Sequence, residues 1–419
     1  MNDVQSLNLQ EWVDQAHRES ARLAQTPIQV RNGALKQLAI ALQEQQDTLL
    51  EANTLDLETT RDLAITGLGL QWLKLTPERL SLVRQFIELL MGLPDPLQIR
   101  QGTVSPLVYS LDGSRILPQG VVCGLYEFLP EFPVLLAGLC FKTGNSLILK
   151  GNPETSHSHQ RMTQMISTAI AKVGLNPDCF LSCPSDRSVS PKDLLGSPLP
   201  IDLVVPYGRP SFIQDMVRLS TGPTLRPVMG NGYLIWSPSG SSDLVRALLI
   251  DSHLGNPDAV NAIEKVILTP DQNVSLLNVL FSHLREKGFA LKGDEILVES
   301  FPDLGLAEPE EWSCPYLNKT IAFKRVNSLA EGIQWMNRHS SGQANVLVSD
   351  TYREVQQFTM GATCATAFIN ASPRFSRLTS GPRGMIALGM QGRGSHCPGP
   401  IGIEHFLKRI QIVQGIGPI

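Results

Sequence analysis

The sequence predicts an α/β chain built on doubly wound parallel sheets, with a helical segment ahead of them. Three observations predict it. Leucines recur at helical spacing in the first hundred residues. From about residue 105 short β-rich runs alternate with helical ones. Of the 419 residues 42% are hydrophobic, enough to bury a large core without a disulfide or metal staple. At about 150 residues per domain, two or three domains are expected.

The N-terminal helices are read from Leu35, Leu38, Leu42, Leu49 and Leu50, and from Thr76-Pro77-Glu78, which reads as N-cap, first-turn proline and early acid. Asp95-Pro96 closes this part. Strands are expected at Val121 to Phe128, Ser146 to Leu149, Phe180 to Cys183, Leu203 to Val205 and Tyr233 to Trp236. Between them lie helices at Pro133 to Lys142, Ser156 to Val173, Ser211 to Leu219 and Asp243 to Leu254. A second alternating block has strands at Lys265 to Leu268, Ile321 to Val326 and Asn345 to Val348, and helices at Val274 to Lys287 and Leu329 to His339. Gly381 to Pro400, rich in Gly, Pro and Arg, reads as a long surface loop or a cover over a site.

Charge and cysteine usage narrow the function. Lys plus Arg at 35 against Asp plus Glu at 39 gives a formal net charge of -4, without the basic stripe that phosphate neutralisation on nucleic acid needs. The polar start Met1-Asn2-Asp3 lacks a signal peptide's cationic and apolar parts, so no secretion is expected. The apolar stretch Gly120 to Phe141 contains Glu127, Glu131, Pro130 and Pro133, and is read as buried strand, turn and helix, with no membrane partner. Seven cysteines, odd in number and scattered singly, point to reduced thiols and a cytoplasmic setting. No Cys-x-x-Cys, His-Glu-x-x-His or glycine-rich phosphate fingerprint occurs. His157, His159 and Cys183 are read as solvated or buried residues and no metal site is expected, because no second ligand pair has metal spacing.

A series of modest segments carries more information by its order. Pro118-Gln119-Gly120-Val121-Val122, Tyr126-Glu127, Leu139 to Asn145, Leu149-Lys150-Gly151 with Glu154, Ile201 to Pro206, Asn261-Ala262-Ile263-Glu264, Ile369 to Phe375 and Gly399 to Gly402 follow one another. Glu51-Ala52-Asn53 with Asp56, Leu73 to Pro77 and Asp95-Pro96 precede them. Together they resemble gamma-glutamyl phosphate reductases, of the aldehyde dehydrogenase superfamily, over nearly the whole chain. The resemblance implies an aldehyde-dehydrogenase-like fold: an N-terminal helical segment (1–100), a cofactor-binding α/β domain (101–250), a catalytic α/β domain (251–370), and a substrate-side loop with a C-terminal return and oligomerisation segment (371–419). It implies NADPH-dependent reduction of L-glutamate 5-phosphate to L-glutamate 5-semialdehyde and phosphate, in proline biosynthesis, by a cysteine thiolate that forms a thioester. It also implies a homo-oligomer.

Several positions depart from the family's pattern. Its nucleophilic cysteine falls on Val260, within Asn256-Pro257-Asp258-Ala259-Val260-Asn261. The amide of its first turn falls on Glu131, an acceptor where an oxyanion would need a donor. Its acid before an aromatic-Leu pair falls on Pro315, ahead of Tyr316-Leu317, and its Arg-Gly-Gly on Tyr207-Gly208-Arg209. Cys314, Cys364 and Cys397 are candidates for a relocated thiol, and direct hydride transfer is the thiol-free route.

By the same resemblance Lys150, Gly151, Glu154 and Gly208 are cofactor positions, with Lys150 suited to NADPH's extra phosphate and Glu154 to its adenosine ribose. A solvated lysine and an ordinary helix-start acid are the bland readings. Asn370, Ser372 and Arg374 are substrate positions, an arginine there being suited to a carboxylate or phosphate and otherwise an ordinary surface residue. Arg377, Arg383 and Arg393 follow in the loop. The other functional reading is a catalytically impaired paralogue that binds nucleotide or metabolite, or serves as regulatory subunit to a true reductase or to glutamate 5-kinase. A third is an unrelated binding protein on the same fold.

Overall fold

The computed structural model describes residues 9–60, 67–98, 100–105, 110–185, 189–196, 199–254, 259–270, 272–378 and 386–415. They form two compact units, one of residues 1–226 with 378–388 and 401–419, the other of residues 227–377 with 389–400.

The first unit begins with helices Leu9–Gln25, Ile28–Glu44, Gln46–Thr60, Gly67–Leu73 and Pro77–Gly92. Thr76 caps the last of these, its side chain accepting from the Arg79 N–H. Helix Phe132–Thr143 is buried at every position and stops at Gly144, whose left-handed conformation (φ 79°) lets its N–H reach the Cys140 and Phe141 carbonyls. The long apolar stretch is therefore a strand and a core helix, and among the described residues no helix is long and apolar enough to cross a membrane.

Four parallel strands lie in the order Phe180–Cys183, Ser146–Gly151, Val121–Tyr126, Leu203–Tyr207. The last three are buried at every position, as parallel strands covered on both faces must be. The Glu51 to Asp56 run has a structural use. Asn53 donates to the Leu73 carbonyl (2.8 Å) and accepts from the Leu75 N–H (2.7 Å). Asp56 accepts from the N–H groups of His157 (2.8 Å) and Ser158 (2.9 Å), satisfying the first turn of helix Ser156–Lys172.

A separate antiparallel sheet of Arg100–Ser105, Ser110–Pro118 and Leu407–Gly415 completes this unit. None of the three was expected as a strand.

The second unit is a seven-stranded parallel sheet in the order Gly305–Leu306, Ala290–Gly293, Thr320–Arg325, Ile263–Leu268, Gly232–Trp236, Ala344–Val348, Thr366–Ile369. Gly232–Trp236, grouped by sequence order with the first block, pairs here between Ile263–Leu268 and Ala344–Val348. Helices Val274–Glu286 and Leu329–His339 occur where expected.

Of the stretch read as a surface loop, residues 381–385 lie outside the described residues. Residues 393–398 are largely exposed and lie outside any strand, as a surface loop would be, whereas residues 386–392 correct that reading. Ile386, Ala387, Leu388, Met390 and Gln391 are buried, and Met390–Gln391 pairs with Pro227–Val228 and Gly399–Pro400. The apolar Ile386-Ala387-Leu388 run outweighs its Gly-rich and Arg-rich flanks.

Candidate functional site

The strand ends of the first unit gather the expected cofactor positions. Lys150 is buried next to the end of Ser146–Gly151, and its ammonium donates to the Pro184 carbonyl. A Cβ on Gly151 would lie 2.8 Å from His159 Nδ1 and 3.1 Å from the Tyr126 hydroxyl. The glycine thus leaves room for the Tyr126 Oη to His159 Nδ1 hydrogen bond (2.9 Å). His159 Nε2 contacts Ser182 Oγ at 2.9 Å, so both ring nitrogens are used and neither is left for a metal. Burial lowers the His159 pKa to about 4, so the ring is neutral near pH 7. Among the described residues no group of three His, Cys, Asp or Glu side chains is arranged to hold a metal ion.

Glu154 lies in the turn Pro153–Thr155, and its Oε2 is buried with no hydrogen-bond partner among the described residues. Gly208 follows strand Leu203–Tyr207, where an added Cβ would come within 2.3 Å of Glu127 Cγ. The Glu127 carboxylate accepts from the Arg209 backbone N–H (2.7 Å), its Nε (2.9 Å) and its Nη2 (3.1 Å). Glu127 first, and Glu154 more weakly, hold the Arg209 guanidinium protonated. A cleft of about 370 Å³ opens beside the His159–Ser182 contact, lined also by Ser156, Gln160, Thr163 and Ser185; Glu154, Gly208 and Arg209 do not line it.

Glu131 is fully occupied. Arg79 donates Nε and Nη2 to its carboxylate, both residues being buried.

In the second unit Val260 is fully buried. Its carbonyl accepts from the Gly230 N–H (2.9 Å) and from Gln343 Nε2 (3.2 Å). Asn256 to Asp258 lie outside the described residues. Asn261 is buried and donates Nδ2 to the Pro373 carbonyl (3.0 Å), while its Oδ1 is buried without a partner among the described residues. That contact brings Asn261 to the segment of expected substrate positions. Ser372 Oγ donates to Asp251 (2.6 Å), and Arg374 Nη1 lies 3.4 Å from the same carboxylate. Asn370, in the left-handed region (φ 50°), spends its amide on Ser349, accepting from its N–H (3.0 Å) and donating to its carbonyl (2.7 Å).

Of the candidate thiols, Cys314 and Cys397 are exposed, and Cys364 is half-buried with its pKa raised by burial. Arg383 is outside the described residues. Arg393 donates to the Arg338 carbonyl (3.3 Å).

Sequence reasoning gave no role to Asp251, Glu264 or Lys265. Lys265 is buried, with Nζ 3.5 Å from the Tyr316 ring centroid and 3.2 Å from the Cys314 carbonyl, and burial lowers its pKa to about 8. The Glu264 pKa is raised by burial, against the pull of Lys265 and of three backbone N–H groups. The usable signal was two adjacent charges inside the apolar strand Ile263–Leu268.

The α/β fold with its parallel sheets is similar to that of solved aldehyde dehydrogenase structures. A probable aldehyde dehydrogenase of Listeria monocytogenes matches 99% of this chain and 98% of its own with a TM-score of 0.70 at 14% identity. No family model matches the chain. The gamma-glutamyl phosphate reductase of Thermotoga maritima matches with a TM-score of 0.86 at 23% identity, over 98% of this chain and 99% of that one. Gamma-glutamyl phosphate reductase 2 of Synechocystis sp. is 41% identical over 390 residues, 92% of each chain. The chain belongs to the gamma-glutamyl phosphate reductase family, oxidoreductases of proline biosynthesis.

Proposed function

We propose that this chain reduces L-glutamate 5-phosphate with NADPH to L-glutamate 5-semialdehyde and phosphate, without a thioester at residue 260. The observation that carries the proposal is the 41% identity across 92% of both chains. Hydride adds to the acyl carbon, the carbon–oxygen bond to phosphate breaks, and NADP+ remains. An acyl phosphate is already activated, so the covalent step is an accelerator that its good leaving group makes dispensable. Omitting it costs several orders of magnitude in rate.

The residues of the first unit fit the cofactor. The orphaned Glu154 oxygen suits a ribose hydroxyl donor, Gly151 and Gly208 permit close approach, and the Lys150 ammonium suits a phosphate. NADPH would supply the hydride. In the second unit Arg374 would hold a substrate carboxylate or phosphate in competition with Asp251, and Ser372 and Asn370 would order its strand end. Val260 has no lone pair to attack with, and its side chain only fills space.

Val260 also favours a second reading: a subunit that binds nucleotide and metabolite without turnover and regulates a true reductase or glutamate 5-kinase. Purified protein with glutamate semialdehyde, phosphate and NADP+ separates the two. NADPH formation that survives replacement of Cys314, Cys364 and Cys397 by serine supports the proposal. Turnover lost with one of these replacements would assign a relocated thiol. NADPH binding by fluorescence without turnover would favour the second reading, and no binding would exclude both.

A further inference from the structure

Glu264 has no part in the chemistry above, yet it joins more backbone than any other acid described in the second unit. It is buried four residues beyond Val260. Its Oε2 accepts from the N–H groups of Asn231 and Tyr316, and its Oε1 from that of Leu317, all at 2.8 Å. Two of these donors, Asn231 (φ 53°) and Leu317 (φ 55°), are non-glycine residues in the left-handed region, a conformation that surrounding structure must hold in place. The turn at Asn231 touches residue 260 directly. Gly230 donates its N–H to the Val260 carbonyl (2.9 Å), and Gln343 Nε2 binds both the Gly230 carbonyl (2.9 Å) and that of Val260 (3.2 Å). On the other side, Lys265 fixes the Cys314 carbonyl and the Tyr316 ring.

We infer that Glu264 is a positioning residue: its carboxylate clamps the strained turns at 230–231 and 314–317 onto each other and so fixes the backbone around residue 260. A carboxylate suits this because it only accepts, whereas a glutamine would turn an NH2 group towards one of three N–H donors. The kinetic consequence rests on the proposed function; the backbone consequence does not.

The test is Glu264→Gln in the full chain, with hydrogen exchange read by mass spectrometry on peptides that cover Asn231 and Tyr316-Leu317. Exchange there should accelerate about a hundredfold, with strands Gly232–Trp236 and Ile263–Leu268 still protected. In the reverse assay kcat should fall at least about tenfold with KM for the semialdehyde unchanged. Adding Leu317→Gly should restore much of kcat, because glycine adopts that φ without a clamp. Unchanged exchange at both turns would overturn the inference. So would exchange that rises along the whole second unit without rescue by L317G, because Glu264 would then serve stability alone. Looser turns with unaltered kcat would remove the positioning role. A wild-type protein without turnover would count against the proposed function, and the exchange comparison alone would then decide whether Glu264 holds the turns.

Discussion

Arg79 grips Glu131 from the start of helix Pro77–Gly92, its Nη2 reaching both carboxylate oxygens and its Nε one of them, with both side chains buried. The same guanidinium donates to the Trp72 and Lys74 carbonyls. By the family resemblance Glu131 is an acceptor where an oxyanion needs a donor. In the folded chain it is one half of an internal ion pair that ties the N-terminal helices to helix Phe132–Thr143.

Breaking that pair should therefore act on stability. Arg79→Met leaves a buried carboxylate unpaired, a change that costs about 3–5 kcal/mol. The midpoint of urea unfolding should fall accordingly. A shift below about 1 kcal/mol would mean that Glu131 finds water or another partner.

His159 makes stability depend on acidity. Its folded pKa of about 4 lies below the ordinary 6.5, so the unfolded chain binds the proton more readily. The stabilisation is complete above pH 6.5 and is lost as pH falls towards 4, up to about 3 kcal/mol from this residue. Denaturant unfolding between pH 7 and 4 should show the decline, and His159→Gln should flatten it.

Gly208 tests the cofactor reading. A methyl group there would sit within 2.3 Å of Glu127 Cγ, so Gly208→Ala must displace the carboxylate that holds Arg209. NADPH affinity, followed by fluorescence, should weaken about tenfold or more while the fold survives. Unaltered affinity would separate this strand end from the nucleotide.

Much of this arrangement was legible in the sequence, for physical reasons. Runs such as Val121 to Phe128 are apolar and β-rich because their strands are covered on both faces, and the expected span differs from Val121–Tyr126 only at its end. The antiparallel sheet was not legible. Ser110–Pro118 pairs along its whole length with Leu407–Gly415, about 300 residues further along the chain, and its mixed polar composition carries no strong period. Nor could sequence order show that Gly232–Trp236 joins the second sheet, since a parallel strand's partner is set by where the crossover lands. At the site, the strand ends carrying Lys150 and Asn370 were reached through resemblance. Glu264 lies in the matching run Asn261 to Glu264, but its three backbone partners come from segments on either side of it in the chain, one 33 and the others 52 and 53 residues away. No local pattern reports that convergence.

On the proposed function, the family's reaction proceeds in this chain without a covalent step at residue 260. The most direct measurement is the rate of NADPH formation from glutamate semialdehyde, phosphate and NADP+ by wild-type protein and by Val260→Cys, each before and after iodoacetamide. Slow wild-type turnover insensitive to the reagent is predicted, with V260C at least about a hundredfold faster and abolished by alkylation. Wild-type turnover that matches V260C, or that alkylation destroys, would contradict the account.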